Sequence, residues 1–164
     1  MSASAGAAAD DATVGLSPGD RIALRALVDA YAVSVDRGDI TGFLAVFTED
    51  ATLSTFEPDG SRRGAYHGHG ELAAVPPALE RYERTLHLVS THLAEVAPGD
   101  DAGEVVGTTY CEAHHHRPAD PPTGGRTDRV LHIRYDDRYA RRGPGWRIRA
   151  REVHVLWQED RPLP

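Results

Sequence analysis

Lysine is absent from the 164 residues: all 18 basic side chains are arginine, set against 25 acidic ones, for a formal charge of −7. Nowhere do arginines accumulate without acids nearby, which argues against nucleic acid as a partner. A single cysteine, Cys111, rules out an intramolecular disulfide and makes a reducing compartment the simplest address. No apolar run approaches the roughly 20 residues that span a bilayer. The alanine-rich start, MSASAGAAADDATVG, has neither a basic n-region nor a true apolar h-region. The expectations are a disordered lead over residues 1–16, no membrane partner and a cytoplasmic location.

What is present is a chain 40% hydrophobic, long enough for one core and too short for two comfortable domains. A single domain over residues 17–160 is expected. SPGD at 17–20 supplies Ser17 as N-cap, Pro18 at the first helical position and Asp20 three residues after the cap, so a helix starts here. Leu24, Leu27, Val28, Tyr31 and Val35 give it one apolar stripe, and Gly38 stops it. Asp39 can cap a second, shorter helix through Phe43, Leu44 and Phe47.

ATLSTFEPDG at 51–60 reads as a first strand closed by a Pro-Asp-Gly turn. Helix formers return from Gly70 to about Arg84, where Pro76-Pro77 must break or kink the helix. Four strands follow, at about 86–97, 103–117, 126–141 and 146–158, separated by the turns PGDDAG, PADPPTGG and RRGPG. Helices gathered ahead of a run of strands indicate an α+β fold, with helices on one face of a curved sheet.

Two features stand out chemically. Asp36 lies on the last turn of the first helix, where free carbonyls penalise a carboxylate by about 0.3–1 kcal/mol unless a cation compensates. Histidine is abundant, and His87, His92, His114, His115, His116, His132 and His154 all fall in expected strands. Alternation puts His87 with Val89 and Thr91, and His92 with Leu88 and Ala94.

In TTYCEAHHH, Thr109, Cys111, Ala113 and His115 form the small, weakly polar row, the better candidate for a cavity wall. The triple histidine cannot close on one metal ion, because neighbouring strand residues point to opposite sides. Cys111 reads as a small buried hydrophobe rather than a nucleophile. In WRIRAREVHVLW, arginines alternate with apolar residues and read as an arginine-coated outer face, for at least two of Arg147, Arg149 and Arg151.

YAVSVDRGDITGFLAVFTEDATL, TLHLVSTHLAEV, GTTYCEAHHHRP and GWRIRAREV together resemble the SnoaL-like group of the nuclear transport factor 2 superfamily. Scytalone dehydratase, ketosteroid isomerase and limonene epoxide hydrolase belong to that superfamily. The resemblance implies a cone: a strongly curved antiparallel sheet closed by three helices from the N-terminal half, around an apolar pocket. It places Asp36 and His87 on the aspartate–histidine pair of scytalone dehydratase and the bile-acid 7α-dehydratases. Tyr31 matches a catalytic tyrosine of the bile-acid enzymes, and His115 falls near a second catalytic histidine of scytalone dehydratase.

The chain departs from scytalone dehydratase in two places. Val35 stands where that enzyme has a tyrosine, and Thr55 or Phe56 stands where it has another. No Asp-Arg-Asp set like that of limonene epoxide hydrolase can be placed. Five residues turn an ideal helix by roughly 140° beyond a full circle, so Tyr31 and Asp36 do not share a face.

The expected function is a cofactor-independent, metal-free lyase or isomerase acting on a hydrophobic cyclic, polyketide-like or steroid-like ligand. His87, Asp36, Tyr31 and His115 are its candidate catalytic residues, and Thr55, Phe56, Cys111 and Trp157 its candidate ligand contacts. A non-catalytic binding or dimerisation module, and an epoxide hydrolase or cyclase, are the alternatives. The resemblance also implies a homodimer or higher homo-oligomer.

Overall fold

The structure, a computed structural model, describes residues 15–97, 104–119 and 124–164. The lead expected over residues 1–16, apart from its last two residues, and the turn PGDDAG lie outside the described residues, as does the middle of PADPPTGG.

Helix α1 (Pro18–Arg37) begins as its sequence dictates: the Ser17 hydroxyl oxygen accepts the Asp20 backbone N–H at 3.1 Å, and Pro18 occupies the first turn. Asp20 then accepts a hydrogen bond from Trp146 Nε1 at 2.8 Å, tying the helix start to a side chain 126 residues further along the chain. Gly38 ends the helix in the left-handed region, φ 64°, its N–H returning to Ser34 and Val35 carbonyls. Asp39 caps helix α2 (Ile40–Ala45), accepting from the Gly42 N–H at 2.9 Å.

Six strands follow in one open, curved sheet: β1 (Phe47–Phe56), β2 (Arg62–His67), β3 (Arg84–Val96), β4 (Val105–Arg117), β5 (Thr127–Arg142) and β6 (Gly145–Pro162). Their spatial order is β2-β1-β6-β5-β4-β3. All pairings are antiparallel except β1 against β6, which run parallel. The fold is α+β, with the helices in the N-terminal half.

Three boundaries differ from the sequence reading. Phe47 opens β1, facing Ile148, rather than closing the second helix. Strand β2 was unexpected; it forms a hairpin with β1 through the turn at Gly60, φ 82°, where a glycine is needed. The expected helix over 70–84 becomes helix α3 (Gly68–Leu72) and a 3₁₀ turn (Pro77–Leu79), because Pro77 has no N–H to continue the ladder.

Helix α1 covers the concave face, burying Leu24, Val28, Tyr31 and Val35 against it. Strand β4 alternates cleanly, with Thr109, Cys111, Ala113 and His115 buried inside. Strands β3 and β6 do not. An extra residue in β3 between Val89 and His92 brings His92 and Ala94 onto the face of His87 and Val89, against simple alternation. In β6, Arg149 and Leu156 are the extra residues, opposite the Arg138/Tyr139 and His132/Ile133 steps. Among the described residues no helix is long and apolar enough to cross a membrane.

Candidate functional site

Strand β3 is the last of the sheet, so its outward N–H and C=O groups have no neighbouring strand to meet. Side chains of α1 take that role. Arg21 Nη1 donates to the Ala94 carbonyl at 3.0 Å, and Arg25 donates to the Ser90 and Val89 carbonyls at 2.6 and 3.3 Å. At the end of this row Asp36 Oδ2 accepts the His87 backbone N–H at 2.8 Å. Covering an exposed sheet edge thus delivers the carboxylate to the histidine.

The same carboxylate takes two further hydrogen bonds on Oδ1, from His87 Nδ1 at 2.7 Å and from Thr85 Oγ1 at 2.9 Å. Burial opposes charge on Asp36, but the hydrogen bonds from His87 and Thr85 outweigh it and hold the carboxyl below its usual range. An ionised carboxylate only accepts, so Nδ1 carries the proton, and the neutral tautomer compatible with this bond has its lone pair on Nε2. The penalty of a helix C-terminus is offset by these donors.

The His87 side chain is 7% exposed and lines a cavity of about 370 Å³ between α1, the inner faces of β1 and β4–β6, β2, and the segment around Leu79–Tyr82. Val35, Leu53, Leu131 and Val153 make its wall apolar. His115 stands across from His87, ring centroids 5.5 Å apart and nearly perpendicular, with Tyr82 at 4.7 Å on its other side. It is 4% exposed, and its Nδ1 has no hydrogen-bond partner among the described residues.

Burial, then the neighbouring His87, pushes the His115 imidazole down from 6.5 to about 4, so it is neutral near pH 7. Between those two values the unfolded chain holds a proton at this position that the folded chain refuses. Stability therefore falls as pH drops through the window, and the loss is complete near pH 4. His115→Leu is expected to flatten the decline of Tm from pH 6.5 to 4, read by circular-dichroism melts; an unaltered slope would contradict the assignment.

The chain matches the SnoaL-like domain over residues 19–152. It belongs to that family. Solved structures of other proteins share the fold. A candidate scytalone dehydratase from Novosphingobium aromaticivorans is 17% identical, the match covering 89% of this chain and 90% of that one at a TM-score of 0.70. The hexachlorocyclohexane dehydrochlorinase LinA-type3 from Novosphingobium barchaimii is 16% identical over 88% and 90%, TM-score 0.70. A Kribbella flavida protein is 21% identical over 86% and 93%, TM-score 0.72. No curated protein matches the chain in sequence.

Within this SnoaL-like domain the candidate residues separate. His87, His115, Tyr31 and Thr55 line the cavity, and Asp36 reaches it through His87. The angular offset between Tyr31 and Asp36 is resolved by their different targets: Tyr31 points at the sheet, Asp36 sideways at β3. Tyr31 is also packed among Phe43, Phe47 and Tyr135, with the Arg151 guanidinium 4.1 Å from its ring centre.

Three expected ligand contacts fall elsewhere. Phe56 follows Thr55 on the strand and faces outward, stacked on His154 at 4.7 Å. Trp157 is 55% exposed on the outer face against His132, because the extra residue Leu156 reverses its direction relative to Val155. Cys111 is inward as expected but interacts with Tyr135 instead of lining the cavity. Burial pushes its thiol up to about 11, which leaves no thiolate for nucleophilic chemistry.

Residues missed in the sequence include Tyr66, Tyr82 and Tyr135, which line the cavity, and Arg151 beneath it. Tyr66 sits in the unexpected β2, for which the PDG turn was the available signal. Arg151 gave no signal, since its inward direction depends on the irregularity at Arg149.

Proposed function

We propose that this SnoaL-like domain is a cofactor-independent lyase or isomerase that moves a proton beside a carbonyl of a hydrophobic cyclic metabolite. The observation that carries the reading is the 2.7 Å bond from His87 Nδ1 to Asp36. It selects the tautomer with a basic Nε2, on a residue that lines an apolar cavity. The fold shared with a dehydrochlorinase and a candidate dehydratase supports an elimination on a ring compound.

In this mechanism Nε2 takes the proton from the carbon next to the carbonyl, and the C–H electron pair becomes an enolate. Asp36 stabilises the imidazolium that forms. His87 then returns the proton. Delivered to another carbon, it completes an isomerisation; delivered to a β-hydroxyl, it releases water as the enolate pair makes the new C=C bond. His115 and Tyr31, both uncharged near pH 7, supply hydrogen bonds toward the carbonyl oxygen. Burial raises the Tyr31 phenol, which keeps its proton.

A non-catalytic binding module would separate Asp36 from His87 and fill the cone. The dyad's bond and the open cavity of about 370 Å³ favour chemistry.

The test is deuterium incorporation beside the carbonyl, followed by NMR in D₂O over a panel of cyclic ketones and β-hydroxy ketones. Asp36→Asn keeps the side-chain shape but removes a charge-assisted hydrogen bond worth about 1.5–3 kcal/mol, so the rate is expected to fall about 10–100-fold. Adding Asp36→Asn to a chain already lacking His87 should cost almost nothing more, because the two act as a unit. No exchange across the panel, or full additivity of the two substitutions, would sink the reading.

A further inference from the structure

Four guanidiniums gather where the cavity opens, in a chain whose formal charge is −7. Arg63, Arg81 and Arg129 line the cavity itself, and a shallower outer groove that adjoins it is lined by the same three with Arg117. They come from four separate stretches of chain: β2, the segment before β3, β5, and the end of β4. A sequence scan for basic runs cannot find them.

Their compensation is incomplete. Asp160 holds Arg129 by a two-pronged bond at 3.0 and 3.2 Å and lies 3.8 Å from Arg117. Glu57 lies 3.5 Å from Arg63. Glu83, close by in the chain, is taken by Arg126 at 2.6 Å. Arg81 has no carboxylate within ion-pairing distance among the described residues; it donates to the Tyr82 hydroxyl at 3.2 Å and lies 4.9 Å over that ring. Among the described residues two carboxylates thus serve four guanidiniums. The Arg81 side chain is exposed while its neighbour Tyr82 packs against His115, so an open cation stands directly outside the proposed reaction chamber.

We propose that the ligand of this cavity is an amphipathic ring compound whose carboxylate docks on Arg81 and Arg63 at the mouth while its apolar body occupies the interior beside His87. This rests on the reading of the cavity as the substrate site. A volume of about 370 Å³ sits at the low end of ligand pockets, which suits a small fused-ring body with its charged group left at the entrance. Planar guanidinium forks match a carboxylate with two parallel bonds. Anchoring the charged end also fixes which ring carbon reaches His87, so the arginines set the position of proton transfer as well as affinity.

The test uses naphthoate and its uncharged amide, naphthamide, titrated calorimetrically into the full chain at low salt. Naphthoate is expected to bind about tenfold more tightly, as one charge-assisted pair would give. Arg81→Gln should remove most of that gap while leaving naphthamide affinity unchanged, and Arg63→Gln should narrow it further. Raising the salt should shrink the gap in the parent chain alone. Equal affinities, no measurable naphthoate binding, or a gap that survives both substitutions would overturn the proposal. His87→Ala is expected to keep the discrimination intact, so a failure of the proton-transfer mechanism and a failure of the anion site read out separately.

Discussion

On the proposed mechanism, replacing His87 with alanine is expected to lower turnover by about 10²–10⁴-fold, the range that a positioned general base contributes, and to leave the fold standing. Both halves follow from the local geometry. His87 contributes one ring hydrogen bond to Asp36, while the other two bonds to that carboxylate come from the His87 backbone N–H and from Thr85. Alanine keeps the backbone donor, and Thr85 is untouched, so the end of α1 stays fastened to β3. Arg21 and Arg25 hold the rest of the helix to the same strand independently of residue 87.

The ring also borders a cavity, so its loss enlarges an existing space instead of opening a new void in packed core. Rate and stability therefore part company at this position. The measurement is kcat for deuterium exchange beside Tm from a thermal melt. A variant that loses several degrees of Tm in proportion to its activity would show His87 to be a structural residue. A variant with parental turnover would remove the base from the mechanism.

Arg151→Met is expected to do the opposite: destabilise the protein by about 3–5 kcal/mol, the cost of stripping one partner from a buried ion pair. Arg151 and Asp137 are both 0% exposed and joined by two bonds of 2.7 Å. The guanidinium also lies 4.1 and 4.4 Å from the ring centres of Tyr31 and Tyr135. Burial alone would lower the arginine's pKa, but the Asp137 carboxylate more than reverses that. Methionine fills similar space yet leaves the Asp137 charge uncompensated, with the Tyr139 hydroxyl at 3.0 Å as its remaining donor.

At about 2–4 °C per kcal/mol for a chain of this size, Tm should fall by roughly 6–20 °C. Adding Asp137→Leu should restore much of the loss, because a paired replacement removes the stranded charge as well. Chemical denaturation of the single and double variants checks both statements. A single variant within about 1 kcal/mol of the parent would mean that Asp137 is solvated or protonated when alone.

The contrast between these two residues tracks what could be read in advance. Ser17, Pro18 and Gly38 marked the limits of α1 because capping depends on neighbours a few residues away. The inward row Thr109, Cys111, Ala113 and His115 was legible because β4 keeps an unbroken period of two against β5. His92 and Trp157 were misplaced, and which of the three β6 arginines turns inward could not be told, for one common reason: each of His92, Arg151 and Trp157 follows an extra residue in β3 or β6 that reverses the alternation. The short β2 was overlooked because SRRGAYH carries few strand-favouring residues, and its place in the sheet comes from pairing with β1.

By itself the sequence determined the order of helices and long strands, the start and stop of α1, the α+β class and the inner face of β4. All of these rest on interactions that are local or strictly periodic. The residues alone showed that Asp36, on the last turn of a helix, wanted a compensating cation, and only the family resemblance suggested His87 as its partner. The tertiary structure decided the rest: that β3 is an edge strand whose bare N–H draws Asp36 to His87, and that Arg151 turns inward while Trp157 turns out. It also decided that four scattered arginines meet at one opening. Each outcome depends on which strand lies beside which and where a pair carries one residue too many, and neither quantity is encoded in the spacing of any single segment.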